Sequence, residues 1–125
     1  MKLAVIEDED GMRQLLQEFL HAKGYGVDTY GTATEALSAF NPLQTGGVCP
    51  VDMLVSDVRL GAFHGFDLLK ILKLWYPALP VVLISAFWQE WEKKQASSLG
   101  SSAQLSKPFS LAELGDTIQS ALATE

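Results

Sequence analysis

A chain of 125 residues fits one domain, expected to span residues 1–125, and leaves little length for a second. Apolar residues make up 48% of it, enough to build a core, which argues against a disordered chain. Nine Lys and Arg against fifteen Asp and Glu give a net charge of −6 with no basic run, which argues against direct nucleic-acid binding through a cationic face.

Leu3 to Ile6 is short, apolar and partly β-branched, and reads as a first strand. It runs into Glu7-Asp8-Glu9-Asp10, so no apolar targeting segment forms at this end. Met12, Leu15, Leu16, Phe19 and Leu20 recur at i, i+3, i+4, i+7 and i+8, which predicts a helix with that apolar face, stopped at Gly24. Gly26 to Tyr30 is the second strand. Thr34 to Phe40 is a short second helix with Ala36, Leu37 and Phe40 on one face, closed by Asn41-Pro42.

Residues 41–51 hold Pro42, Gly46, Gly47 and Pro50 and read as a surface loop. The lone Cys49 in it reads as a loop or strand-edge thiol and suits a reducing compartment. Met53 to Ser56 is the third strand, with Asp57 at its end. Phe66, Leu69, Leu72 and Leu74-Trp75 suit a third helix, closed by Pro77 and Pro80.

Val81 to Ile84 is the fourth strand and ends in Ser85-Ala86. Trp88 to Leu99 is a fourth helix, stopped at Gly100; Trp88 and Trp91 lie three apart and can share a face, read as core packing with a partner or dimer surface as the alternative. Ala103 to Leu105 is a weaker fifth strand, followed by Lys107-Pro108. Leu111, Leu114, Ile118, Ala121 and Leu122 suit a fifth helix, with Ser110 as N-cap and Glu113 closing a capping box. No run approaches the roughly 18 apolar residues that span a bilayer, so the expected setting is the cytoplasm, away from membranes.

Five alternations of strand and helix predict an α/β fold: a parallel sheet with helices on both faces. The near-continuous apolar strands Leu3–Ile6 and Val81–Ile84 belong at its centre. Ligands in such folds gather outside the carboxyl ends of the strands. There stand Glu7 and Asp8, then Asp57, then Ser85-Ala86, then Lys107-Pro108. Each group alone is ordinary: an acidic turn opening a helix, a turn residue, a small polar strand end, a surface lysine. Together they are chemically specific. Three facing carboxylates repel unless a cation sits among them, and hard oxygen ligands suit Mg²⁺. Asp57 can then act as a carboxylate nucleophile toward phosphorus, with a lysine and a hydroxyl holding the remaining oxygens.

In this order and spacing the residues resemble a response-regulator receiver domain of two-component signalling, of the CheY-like superfamily, along the whole chain. Val5-Ile6-Glu7-Asp8-Glu9 resembles the first-strand acidic motif. Asp57-Val58-Arg59-Leu60, with Gly65 eight residues after the Asp, resembles the phosphoacceptor segment. Val81 to Ala86 resembles the strand ending in a switch Ser or Thr, and Lys107-Pro108-Phe109 resembles the Lys-Pro-Phe signature.

The resemblance implies a flavodoxin-like (βα)5 sandwich with a five-stranded parallel sheet of order 2-1-3-4-5. It implies a phosphoprotein rather than an enzyme, assisting only its own phosphorylation and dephosphorylation. Asp57 would be the phosphorylation site. Asp8 would bind Mg²⁺ directly, Glu7 mainly through water, with Asp57 and the backbone carbonyl of Arg59 as further metal ligands. Ser85, Ala86 and Lys107 would form the switch and phosphate-binding set, and the Lys107-Pro108 peptide would be cis. The implied partner is a sensor histidine kinase or histidine phosphotransfer protein. The fourth helix, fifth strand and fifth helix would form the output surface and a homodimer face.

The chain also departs from the pattern. Gln104 stands three residues before Lys107, where the family often has a Tyr or Phe that swings inward on activation. Gly61 replaces a frequent proline, which implies a looser loop. Arg59 and Phe87 occupy positions where the family tunes phosphate lifetime. His21 and His64 read as surface residues without a part in the chemistry. One alternative is a receiver-like binding module that signals without phosphate; intact Glu7, Asp8, Asp57, Ser85 and Lys107 count against it. Another is a haloacid-dehalogenase-like phosphatase, which needs an acid two residues after the nucleophile, where this chain has Arg59.

Overall fold

The computed structural model describes residues 1–123. Thirteen elements follow one another: β1 (Lys2–Ile6), α1 (Asp10–Ala22), β2 (Gly26–Tyr30), α2 (Ala33–Phe40), α3 (Pro42–Thr45), β3 (Met53–Asp57), β4 (Arg59–Leu60), β5 (Phe63–His64), α4 (Gly65–Trp75), β6 (Val81–Ser85), α5 (Glu90–Ser98), β7 (Ala103–Ser106) and α6 (Leu111–Ala123). Five strands form one parallel sheet in the order β2-β1-β3-β6-β7. Leaving aside the two-residue strands β4 and β5, this is the order 2-1-3-4-5 of a flavodoxin-like fold.

Side chains along a strand alternate between faces, and here both faces are apolar. Leu3, Val5, Met53, Val55, Val82 and Ile84 point to one side, against Leu16 and Leu20 of α1 and Leu114 and Ile118 of α6. Ala4, Ile6, Leu54, Val81 and Leu83 point to the other, against Phe40 of α2, Leu69 and Leu72 of α4 and Ala96 of α5. The sheet is therefore fixed from both sides, and only the strand ends are free to carry polar chemistry. No helix among the described residues is long and apolar enough to cross a membrane.

Buried polar contacts pin the second layer. Tyr76 donates its hydroxyl hydrogen bond to the Phe40 carbonyl at 2.5 Å, and the same oxygen lies 2.7 Å from Thr45 Oγ1. Phe40 itself is fully buried and meets the Tyr30 ring edge-on at 6.1 Å. Tyr76→Phe leaves that carbonyl without its donor, and an expected loss of about 1–2 kcal/mol is measurable by urea unfolding.

Several local expectations are corrected. The 41–51 connection contains a helical turn, α3: the Asn41 side chain caps it at Leu43 N (2.9 Å), Pro42 opens it and Gly46 ends it at φ +70°. The segment after Asp57 is an antiparallel hairpin, Arg59 opposite His64 and Leu60 opposite Phe63, turning at Gly61 with φ +64°. Helix α5 starts at Glu90, two residues later than its apolar pattern suggests, because Gln89 and Glu92 form a capping box there. Trp88 and Trp91 do not share a buried face. Trp88 is half-buried, its indole N–H on the Leu105 carbonyl at 3.0 Å, whereas Trp91 is 59% exposed. Leu74 lies on the solvent side of α4 at 79% exposure. His64 is more than a surface residue: its Nδ1 accepts from Phe66 N at 3.0 Å and caps α4.

Candidate functional site

The carboxyl ends of β1, β3, β6 and β7 converge because the strands are parallel and adjacent. Glu7 follows β1, Asp57 ends β3, Ser85 ends β6 and Lys107 follows β7. Backbone hydrogen bonds hold the rim together. Glu7 N donates to Tyr30 O (3.1 Å), Val58 N to Ile84 O (2.8 Å) and Lys107 N to Ser85 O (2.8 Å). The Lys107–Pro108 peptide bond is cis.

At the centre, the Lys107 ammonium lies 3.0 Å from Glu7 Oε1 and 3.0 Å from each oxygen of Asp57. Glu7 is 3% exposed and Asp57 7%. Asp8 is exposed beside them, and carboxylate oxygens of Glu7, Asp8 and Asp57 all lie within 4.8 Å of one another. One cation thus faces three carboxylates. The imbalance shows in their acidities. Burial, and then the neighbouring Asp57, push the Glu7 carboxyl above its usual range; Lys107 offsets only part of this. Desolvation, and then Glu7, push Asp8 upward. Burial acts to lower the Lys107 pKa, but the carboxylates of Asp57 and Glu7 outweigh it and raise the value. Three hard oxygen donors left with two negative charges uncompensated fit a divalent cation such as Mg²⁺.

The structure brings together Glu7, Asp8, Asp57 and Lys107. Two other predicted side chains have their polar atoms engaged elsewhere. Ser85 is buried, but its hydroxyl is engaged with Phe87, accepting from the backbone N–H at 3.2 Å and facing the carbonyl at 3.3 Å. Ala86 follows it, exposed. Arg59 sits on β4 with its guanidinium directed to Glu92 of α5, 3.8 Å away. Gln104 lies on β7, and its amide reaches Ser97 Oγ (3.4 Å) at the end of α5 and Ser101 Oγ (3.3 Å).

Four residues support the site in ways that the sequence reading did not assign to them. Glu9 caps α1 by accepting from Gly11 N (3.0 Å) and Met12 N (2.7 Å). Its place just before a helical pattern was the available signal, although Glu is not a preferred N-cap. Arg13 donates to the Glu7 carbonyl at 3.0 Å and pairs with Asp10 at 2.6 Å, fixing the acidic turn. Gly65 packs against the Asp57 carbonyl so closely that a Cβ would stand 2.8 Å from it. Glu92 is a buried carboxylate, and no sequence pattern marks it as such.

The response regulator receiver domain family model matches residues 3–119. The chain belongs to that family. This receiver domain is 30% identical over 118 residues to the DNA-binding transcriptional regulator NtrC of Proteus hauseri, covering 94% of the chain and 24% of that protein. It is 28% identical over 112 residues to the response regulator SaeR of Staphylococcus aureus, covering 90% of the chain and 46% of SaeR. It therefore spans less than half the length of these curated relatives. Among solved structures it is similar to the non-phosphorylated HemR receiver domain from Leptospira biflexa, with a TM-score of 0.88 and 26% identity over 98% of this chain and 94% of that one. The chemotaxis protein CheY4 of Vibrio cholerae shares the fold, with a TM-score of 0.84 at 24% identity over 96% of this chain and 97% of that one.

Proposed function

We propose that this receiver domain accepts a phosphoryl group on Asp57 from a phosphohistidine of a sensor histidine kinase or histidine phosphotransfer protein. An Asp57 Oδ attacks phosphorus, a P–O bond forms, and the P–N bond breaks with its electron pair leaving on the histidine. The single observation that carries this reading is the Lys107 ammonium held 3.0 Å from both buried carboxylates, Glu7 and Asp57. It orients the Asp57 carboxylate, and it stands ready to pair with a phosphoryl oxygen.

Asp8, Asp57 and the Arg59 carbonyl would hold Mg²⁺ directly, and Glu7 through water. Bound there, Mg²⁺ supplies charge neutralisation for the attacking carboxylate and the phosphoryl oxygens. Ser85 lies beside the site with its hydroxyl on Phe87; it turns to a phosphoryl oxygen by giving up those bonds. Phe87, just before α5, and Trp91, in its first turn, are 66% and 59% exposed. They support reading α5, β7 and α6 as the output surface, for a target or a second copy.

The test is incubation with Mg²⁺ and acetyl phosphate, followed by intact mass measurement. A gain of about 80 Da, one phosphoryl group in this chemistry, is expected in wild type and is lost in Asp57→Asn. An unmodified wild type, or an adduct surviving in Asp57→Asn, overturns the reading. Steady turnover of a phosphate ester would point to a hydrolase instead.

A further inference from the structure

Helix α5 carries a buried carboxylate that phosphoryl transfer does not use. Glu92 lies in its first turn and is 3% exposed. Its Oε1 accepts from Gln89 N at 3.1 Å, and the Gln89 side chain returns the bond at the Glu92 N–H. That is an ordinary helix cap. It accounts for one oxygen and leaves unexplained why a charged group is buried with a cation from another element at its second oxygen. That cation is Arg59, with Nη2 3.8 Å from Oε2.

Arg59 is anchored at one end and reaches at the other. Its backbone pairs with His64 in the β4–β5 hairpin, two residues after Asp57. Its side chain, 66% exposed, crosses to a Glu92 side chain that is 4% exposed. One residue therefore joins the phosphoacceptor segment to the first turn of α5.

We propose that the Arg59–Glu92 pair is a charge lock on α5 that a phosphoryl group on Asp57 opens. The inference rests on the phosphorylation reading above. A phosphoryl group brings a charge of about −2 and three strong acceptor oxygens to a point two residues from Arg59. Guanidinium binds such oxygens in a bidentate fork, and the exposed Arg59 side chain gives up little packing to turn toward them. Glu92 then loses its counter-charge. A buried carboxylate without a cation is unfavourable, so the first turn of α5 shifts to bring it to water. Trp88 and Trp91 precede Glu92 by four residues and by one, and the Trp88 indole is tied to the Leu105 carbonyl of β7. Opening the lock thus reaches the exposed aromatic surface without an aromatic residue at position 104.

Hydrogen exchange of backbone amides 89–93, read by mass spectrometry on the same samples that report the phosphoryl adduct, tests this. Phosphorylated wild type is expected to exchange there at least roughly tenfold faster than unphosphorylated protein. Arg59→Ala is expected to show fast exchange before any phosphorylation. Glu92→Gln keeps the cap geometry without the charge, and its adduct is expected to leave exchange in this turn unchanged. A full adduct in wild type with no change at 89–93, or a Glu92→Gln response equal to wild type, overturns the lock and leaves the phosphorylation reading standing. If no adduct forms, that reading fails instead, and unphosphorylated Arg59→Ala still decides: exchange equal to wild type removes the lock.

Discussion

Lys107→Met is expected to lower unfolding stability near neutral pH by about 3 kcal/mol, because removing one member of a buried ion pair strands the other members. Glu7 at 3% exposure and Asp57 at 7% would face each other without a cation. The pH dependence follows from the sign of the Glu7 shift. Its folded pKa lies above the usual value of 4.5, so protonating it favours the folded state. That contribution is complete below 4.5 and is lost as pH rises through the raised folded value. The deficit of Lys107→Met should therefore be largest near neutrality and shrink on acidification through this window. Mg²⁺ should restore part of it near neutral pH, by binding the folded state. Urea melts at several pH values, with and without Mg²⁺, read all three effects. A deficit that does not vary with pH would mean that Lys107 stabilises through its aliphatic stem alone.

Gly65→Ala should be nearly as damaging, for a steric reason. An added Cβ would stand 2.8 Å from both the Asp57 carbonyl and Val58 Cα, and 3.1 Å from the Val58 carbonyl. All three are backbone atoms at the end of a central strand, and the Gly65 N–H is bonded to the Val58 carbonyl at 2.6 Å. None can step aside as a flexible side chain would. An overpacked site of this kind costs about 2–3 kcal/mol. Relief comes by displacing Asp57, so phosphorylation by acetyl phosphate should also slow by roughly tenfold or more. Thermal melts and the rate of mass gain check the two effects. Unchanged rates in a folded variant would show that the 58–65 segment yields without moving Asp57.

The large elements were legible because each buries a whole periodic face. Strands such as Leu3–Ile6 and Val81–Ser85 are apolar on both sides, a pattern that only a central position in a parallel sheet explains. The convergence of Glu7, Asp8, Asp57 and Lys107 was legible for a related reason: once the strands are parallel, their carboxyl ends must meet. What stayed hidden were short elements and satisfied polar groups. Strands β4 and β5 have two residues each, too few to show a period. Glu92 is charged, so hydropathy places it outward; its burial depends on a cap and on Arg59, more than thirty residues earlier. Leu15 and Leu74 fit the apolar spacing of their helices but sit at its margins, 44% and 79% exposed. His64 resembles any exposed loop histidine until its ring is seen accepting from Phe66 N.

The ammonium of Lys107 reaches back 100 residues to Glu7 and 50 to Asp57. Nothing in the first half of the chain can assemble this centre by itself. A nascent chain stalled before residue 107, or a molecule whose last strand and helix have peeled away, carries Asp57 without its partner cation. The wide spacing thus makes the centre depend on a late part of the chain: Glu7 and Asp57 gain their shared ammonium only when the segment from β7 to Lys107 has docked beside β6.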